Sequence, residues 1–165
     1  MKRAPLWVTL GVATTFVAIA QSQLAGQSAG YKRAEAALRS GGAIPKSGKD
    51  SAGRSYLVTQ AKVGATTLDL RVTLSRDDRI ALYALKLPVI RDPKKLTRDH
   101  LLRLFIESGE YGVAYFAYSM AEKRLELREP VPTSDLGPST HRDAVARLVN
   151  FAMLTRAIWD DPALK

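Results

Sequence analysis

The sequence predicts an α+β fold, one antiparallel sheet of about five strands with helices packed on one face, in the order α-β-β-β-α-β-β-α. Three observations carry this. Residues 67–74 alternate apolar and polar positions without a break, which marks a half-buried strand. Three strand-like runs follow one another with only short turns between them, too short for parallel crossovers, so they form a meander. Helical periodicity recurs before, between and after the strand groups.

The first twenty residues stand apart from this domain. Lys2 and Arg3 precede an uncharged apolar run, Leu6 to Ala20, and Ala18-Ile19-Ala20 supplies the small-x-small pattern of a signal peptidase site. The run is short for a bilayer crossing, which needs about 20 apolar residues. Residues 1–20 are therefore expected to be an export signal, placing the protein in the periplasm or outside the cell. An uncleaved signal acting as a membrane anchor is the alternative. Residues 21–30, QSQLAGQSAG, are small and polar and are expected to form a tether, with a single binding domain over 31–165.

The domain opens on a helix through Arg33 to Leu38, stopped by Gly41 and Gly42. The stretch AIPKSGKDSAGRS is Pro-, Gly- and charge-rich and is expected to be a loop. YLVTQAKV is the first strand. TTLDLRVTL is the second, with Leu68, Leu70, Val72 and Leu74 on one face and Thr67, Asp69, Arg71 and Thr73 on the other. After the turn SRDDR, RIALYALKL carries apolar residues on both faces and is expected to lie centrally, ending at Pro88.

Thr97 can cap a second helix in which Leu101, Leu104 and Phe105 share a side, with Gly109 expected to stop it. VAYFAYSM and KRLELREPV form a hairpin, with Leu125 and Leu127 alternating against Arg124, Glu126 and Arg128. The last helix starts near Pro138. Val145, Leu148, Val149, Phe151, Ala152, Ile158 and Trp159 then recur at three- and four-residue spacing up to Asp161-Pro162.

The segments LTRDHLLRLFIESGEYGVAYFAYSMAEKRLELREPVP and DLGPSTHRDAVARLVNFAML resemble YbjN-like domains and the type III secretion chaperone-like fold that they share. Leu101-Leu102-Arg103-Leu104, Phe116, Leu125, Leu127, Leu136 and Pro138 stand where that pattern wants them. The resemblance spans residues 31–160 by element order, and its motifs are core positions. It implies a non-enzymatic domain that pairs with itself or with another polypeptide.

Composition bounds the chemistry. The chain has 165 residues, 46% hydrophobic and 25% charged, which suits one globular domain. It has no cysteine, so disulfides, thiolate metal sites and a lipidated cysteine are excluded. Its net charge of +9 favours anionic partners such as an acidic protein, a membrane surface or an acidic polysaccharide. Nucleic acid is disfavoured, because the basic cluster lacks interleaved aromatics and the chain is expected to be exported.

Two motif matches fail on context. Gly26-Gln27-Ser28-Ala29-Gly30 spells a nucleophile elbow but has no strand before it. Lys46-Ser47-Gly48-Lys49-Asp50 approaches a phosphate loop, but Ala43 stands in place of its first glycine and Asp50 in place of its Ser or Thr. The two histidines, His100 and His141, each sit in a first helical turn near an acid, Asp99 and Asp143. A small hydrolase built on either is the least favoured reading. Glu107, Glu110, Glu126 and Glu129 sit in surface-like contexts. No catalytic residue, metal ligand or cofactor is expected.

Two surfaces remain. Arg91, Lys94, Lys95, Arg98 and Arg103 form a basic cluster suited to an anion. On the last helix, Met153, Leu154 and Ala157 lie off the core stripe, surplus apolar area that suits a partner, most simply a homodimer. The polar side of the sheet, with Arg71, Arg124, Glu126 and Arg128 among its residues, is mixed in sign and is expected to be solvated.

Overall fold

A computed structural model describes residues 28–164 apart from Arg91; the expected export signal and most of the expected tether lie outside these residues. The chain runs α1 (Ala29–Ser40), β1 (Lys46–Lys49), β2 (Ser55–Val63), β3 (Thr66–Leu74), β4 (Ile80–Val89), α2 (Arg98–Tyr111), β5 (Tyr115–Ser119), β6 (Arg124–Pro132), α3 (Pro138–Leu154) and α4 (Arg156–Trp159), with short 3-10 turns between some of them. The strands form one sheet in the order β1-β2-β3-β4-β6-β5, with every pair antiparallel. The α+β class is as the sequence predicts, with β4 interior. The strand count is six rather than five.

The added strand is β1, which falls in the stretch expected to be a loop. It pairs Lys46–Lys49 with Ser55–Val58 of β2 at the sheet edge. It has no apolar alternation because its Gly48 lies against the Tyr56 ring, where a Cβ would come within 2.6 Å of Cζ. The β2–β3 hairpin turns at Gly64-Ala65, and Gly64 has φ +60, the left-handed conformation that a two-residue hairpin turn requires.

Leu57, Ala61 and Val63 of β2, Leu68, Leu70 and Val72 of β3, Ala81, Tyr83, Leu85 and Leu87 of β4, and Leu125, Leu127 and Val131 of β6 are buried on one face. Tyr31, Ala34 and Leu38 of α1 and Ala144, Leu148, Phe151 and Ala152 of α3 cover them. Phe151 stacks on Tyr111 at 4.3 Å and meets Phe116 edge-on at 5.2 Å, tying α2, α3 and β5 together.

Four element ends differ from the sequence expectation. The first helix begins at Ala29, inside the stretch expected to be a tether, because Ser28 caps it by accepting from the Tyr31 N–H. Pro88 does not end β4, since a register irregularity between Lys86 and Val89 absorbs it. Helix α2 passes through Gly109 and stops at Gly112, whose φ of +81 is the left-handed exit. The last helix breaks at Thr155, whose hydroxyl donates to the Phe151 carbonyl, and Trp159 Nε1 then donates to the Ala152 carbonyl to hold α4 beneath α3.

Candidate functional site

The two motif matches dissolve in the structure. Ser28 of the G-x-S-x-G match is the helix cap, and Lys46–Lys49 of the phosphate-loop match is strand β1. The histidines meet different neighbours. His100 closes a capping box with Thr97 on α2 and lies 3.4 Å from Asp161. His141 is buried at the start of α3, 5.7 Å from the Tyr83 ring and so close to Gly41 that a Cβ there would come within 2.6 Å of its Cδ2. Burial lowers the pKa of His141, and it pushes the Tyr83 hydroxyl up to about 12 with Glu129 adding to the rise. Among the described residues no group of three or more His, Cys, Asp or Glu could hold a metal ion.

The carboxylates correct the sequence expectation. Glu126 and Glu129 are buried rather than surface groups. Glu129 shares the core parity of β6 with Leu125 and Leu127 and is bound there by Arg147 of α3. Glu126 faces the other side of the sheet and accepts from both Nε and Nη2 of Arg128. Each is occupied by an arginine, the arrangement that holds a buried charge rather than one poised for acid-base work.

Of the basic cluster, Lys94, Lys95, Arg98 and Arg103 are exposed, and Arg91 lies outside the described residues. Met153, Leu154 and Ala157 are exposed where α3 passes into α4. A larger apolar surface lies on α2. Of its apolar side chains Leu104 is buried, whereas Leu101, Leu102, Ile106 and Phe105, the last 78% exposed, face outward. Their i, i+1, i+4, i+5 spacing puts them on one stripe, with the exposed Gly109 on the same arc one turn further along. The sequence expectation put Leu101, Leu104 and Phe105 on one side of this helix, and of the three only Leu104 is buried. Helical spacing identifies a shared side but not what covers it.

The outer face of the sheet holds a second arrangement that the sequence left as a solvated surface. Glu122, on the β5–β6 turn, accepts from Lys86 Nζ at 2.7 Å with each of its oxygens and from Arg71 at 3.3 Å, and Arg124 Nε stands 3.3 Å away. Burial raises the Glu122 pKa, but Lys86, Arg124 and Arg71 together outweigh it and hold the carboxyl below its usual range. Arg71 lies 3.9 Å from the centre of the Tyr56 ring. Glu122, Lys86, Arg71 and Tyr56, though not Arg124, line a groove of about 510 Å³ together with Thr73, Leu82 and Ala84.

No protein-family model matches the chain, and no curated protein matches it in sequence. Solved structures do match in shape. The chain is similar to the structure of the HopA1-SchA chaperone-effector complex, with a TM-score of 0.53 and 14% identity over 79% of this chain and 94% of that one. It is equally similar to the crystal structure of the ExsC-ExsE complex, with a TM-score of 0.53 and 14% identity over 79% of this chain and 92% of that one. The chain has a type III secretion chaperone-like fold.

Proposed function

We propose that this protein is an exported, non-enzymatic module that binds another polypeptide and pairs with a second copy of itself. The observation that carries this is the stripe Leu101, Leu102, Phe105 and Ile106, four large apolar side chains turned outward on a helix that buries Leu104. A solvated helix face has no use for them, whereas a twofold contact between two such stripes would remove both from water, and Gly109 would let the helices approach closely. The similar structures, one of them a chaperone-effector complex, support a polypeptide partner. The apolar N-terminal run with its Ala18-Ile19-Ala20 site supports export.

Light scattering of the purified chain tests self-association. The expected result is a dimer mass for the wild type and a monomer mass for Phe105→Asp. Met153→Asp with Leu154→Asp separates the two apolar surfaces, and is expected to leave the dimer intact if α2 is the contact. A wild type that stays monomeric at high micromolar concentration would remove self-association. Detection of the processed N-terminus in the periplasmic fraction of the native host tests export.

A further inference from the structure

We propose that the groove on the outer face of the sheet is the binding site for an acidic polypeptide segment, with Glu122 occupying in the free protein the position that a partner carboxylate takes. The proposal rests on the reading of this chain as a polypeptide-binding module and gives that partner its chemistry.

Charge is the first support. Arg54 and Arg128 are already paired, with Asp50 and Glu126 respectively. Of the groove's remaining cations, Arg71 and Lys86 share a single carboxylate, that of Glu122, which Arg124 also approaches from beside the groove, so one positive charge is left in excess. The same sign holds for the chain as a whole, at +9, and a net positive cleft favours ligands of the opposite charge.

Donor capacity is the second. Arg71 Nε is buried and has no hydrogen-bond partner among the described residues, and Arg124 Nε reaches Glu122 only without hydrogen-bond alignment. Guanidinium groups pair best with a carboxylate through two parallel N–H donors, and neither arginine achieves this with Glu122. A carboxylate free to choose its approach could do so. Arg71 is held for that purpose by the Tyr56 ring, which fixes the plane of its guanidinium.

The placement of Glu122 is the third. It sits on the turn between Ser119 and Arg124, away from the regular strand ladder, and the next residue, Lys123, adopts φ +50. A turn opens more readily than the paired strands around it. Thr73, Leu82 and Ala84 add uncharged lining from β3 and β4, where an extended backbone could lie over the sheet.

Fluorescence anisotropy of a labelled poly-glutamate peptide with the full chain, at low and near-physiological salt, tests the assignment. The expected result is saturable binding that Lys86→Gln and Arg71→Gln each weaken by about fivefold or more, that Glu122→Gln tightens by about threefold or more, and that Lys94→Gln with Lys95→Gln leaves unchanged. Equal weakening by the groove and the Lys94/Lys95 variants would overturn it, since binding would then follow overall charge. So would weaker binding by Glu122→Gln. If Arg71→Gln does not fold, as circular dichroism would show, Lys86→Gln and Glu122→Gln decide. Displacement of the peptide by inorganic tripolyphosphate at lower concentration than by unlabelled poly-glutamate, with the same variants affected, would make this a phosphate site and overturn the polypeptide assignment. Binding to anionic vesicles with the same variant pattern, in place of binding to the peptide, would do the same. Failure here leaves the light-scattering mass of the wild type untouched, whereas failure of self-association leaves peptide binding intact, so the two outcomes are distinguishable.

Discussion

Arg147 reaches from α3 to the sheet and donates from both Nε and Nη2 to one carboxylate oxygen of Glu129, a residue only 2% exposed in β6. The second oxygen of Glu129 has no partner among the described residues, so Arg147 carries the whole task of offsetting its desolvation. The pair thereby links α3 to the interior of the sheet.

Removing that arginine should therefore cost more than a surface pair would. Arg147→Met is expected to destabilise by on the order of 2–4 kcal/mol, below the range for fully buried pairs because Arg147 is itself partly exposed. Adding Glu129→Gln should recover part of the loss, since the uncompensated charge is then gone. Urea unfolding at neutral pH measures both. A change of less than about 0.5 kcal/mol for Arg147→Met would show that the pair is not what keeps Glu129 buried.

The buried His141 makes stability depend on acid. Its pKa in the folded chain lies below the ordinary 6.5, because burial disfavours the charged ring. The unfolded chain therefore takes up this proton at a higher pH than the folded one. Stability should be flat above 6.5 with respect to this group and should fall as pH drops below it. Urea midpoints at pH 7.5 and 5.5 are expected to differ in the wild type and to converge in His141→Gln, with His100 unchanged in both proteins. An equal acid loss in the two would assign it to other groups.

How much of this was legible in the sequence depends on what each pattern reports. The perfect alternation of β3 and the capped helix at Thr97 depend on local chemistry, and both stand where the sequence puts them. Strand β1 was hidden because Gly48 and its charged neighbours carry no periodicity; its pairing is dictated by the Tyr56 ring across the ladder. On α2 the sequence showed a shared side but not what covers it. Leu101, Leu104 and Phe105 do cluster on one arc, and tertiary packing alone takes Leu104 inward and leaves Phe105 out. The Glu122 groove was out of reach, since it joins β3, β4 and the β5–β6 turn across a sheet order that the sequence does not reveal. The parity of β6 did place Glu129 with the leucines, but a lone acid on a core face gives no sign of which cation meets it.

Lys123 offers a stability gain at the same turn. Its φ of +50 is the left-handed region, which costs a side chain about 1 kcal/mol and costs glycine nothing. Lys123→Gly is expected to raise stability by about 0.5 kcal/mol, the remainder being offset by the greater freedom of glycine in the unfolded chain. A thermal melt showing an unchanged or lower midpoint would mean that the lysine side chain makes a compensating contact.

Gly48 should resist the substitution that strand propensity would favour. Valine suits an edge strand, yet a Cβ at this position would come within 2.6–2.7 Å of the Tyr56 Cζ, Cε2 and hydroxyl, and that ring carries the Arg71 guanidinium. Gly48→Val must therefore displace Tyr56, and with it the stacked arginine, at a cost of about 1–3 kcal/mol. Tyr56→Ala removes the clash, so the valine should cost less in that background than in the wild type, and the coupling can be read from the four urea unfolding curves of the double-mutant cycle. Additive effects would mean that the room it gives the ring is not what the glycine supplies.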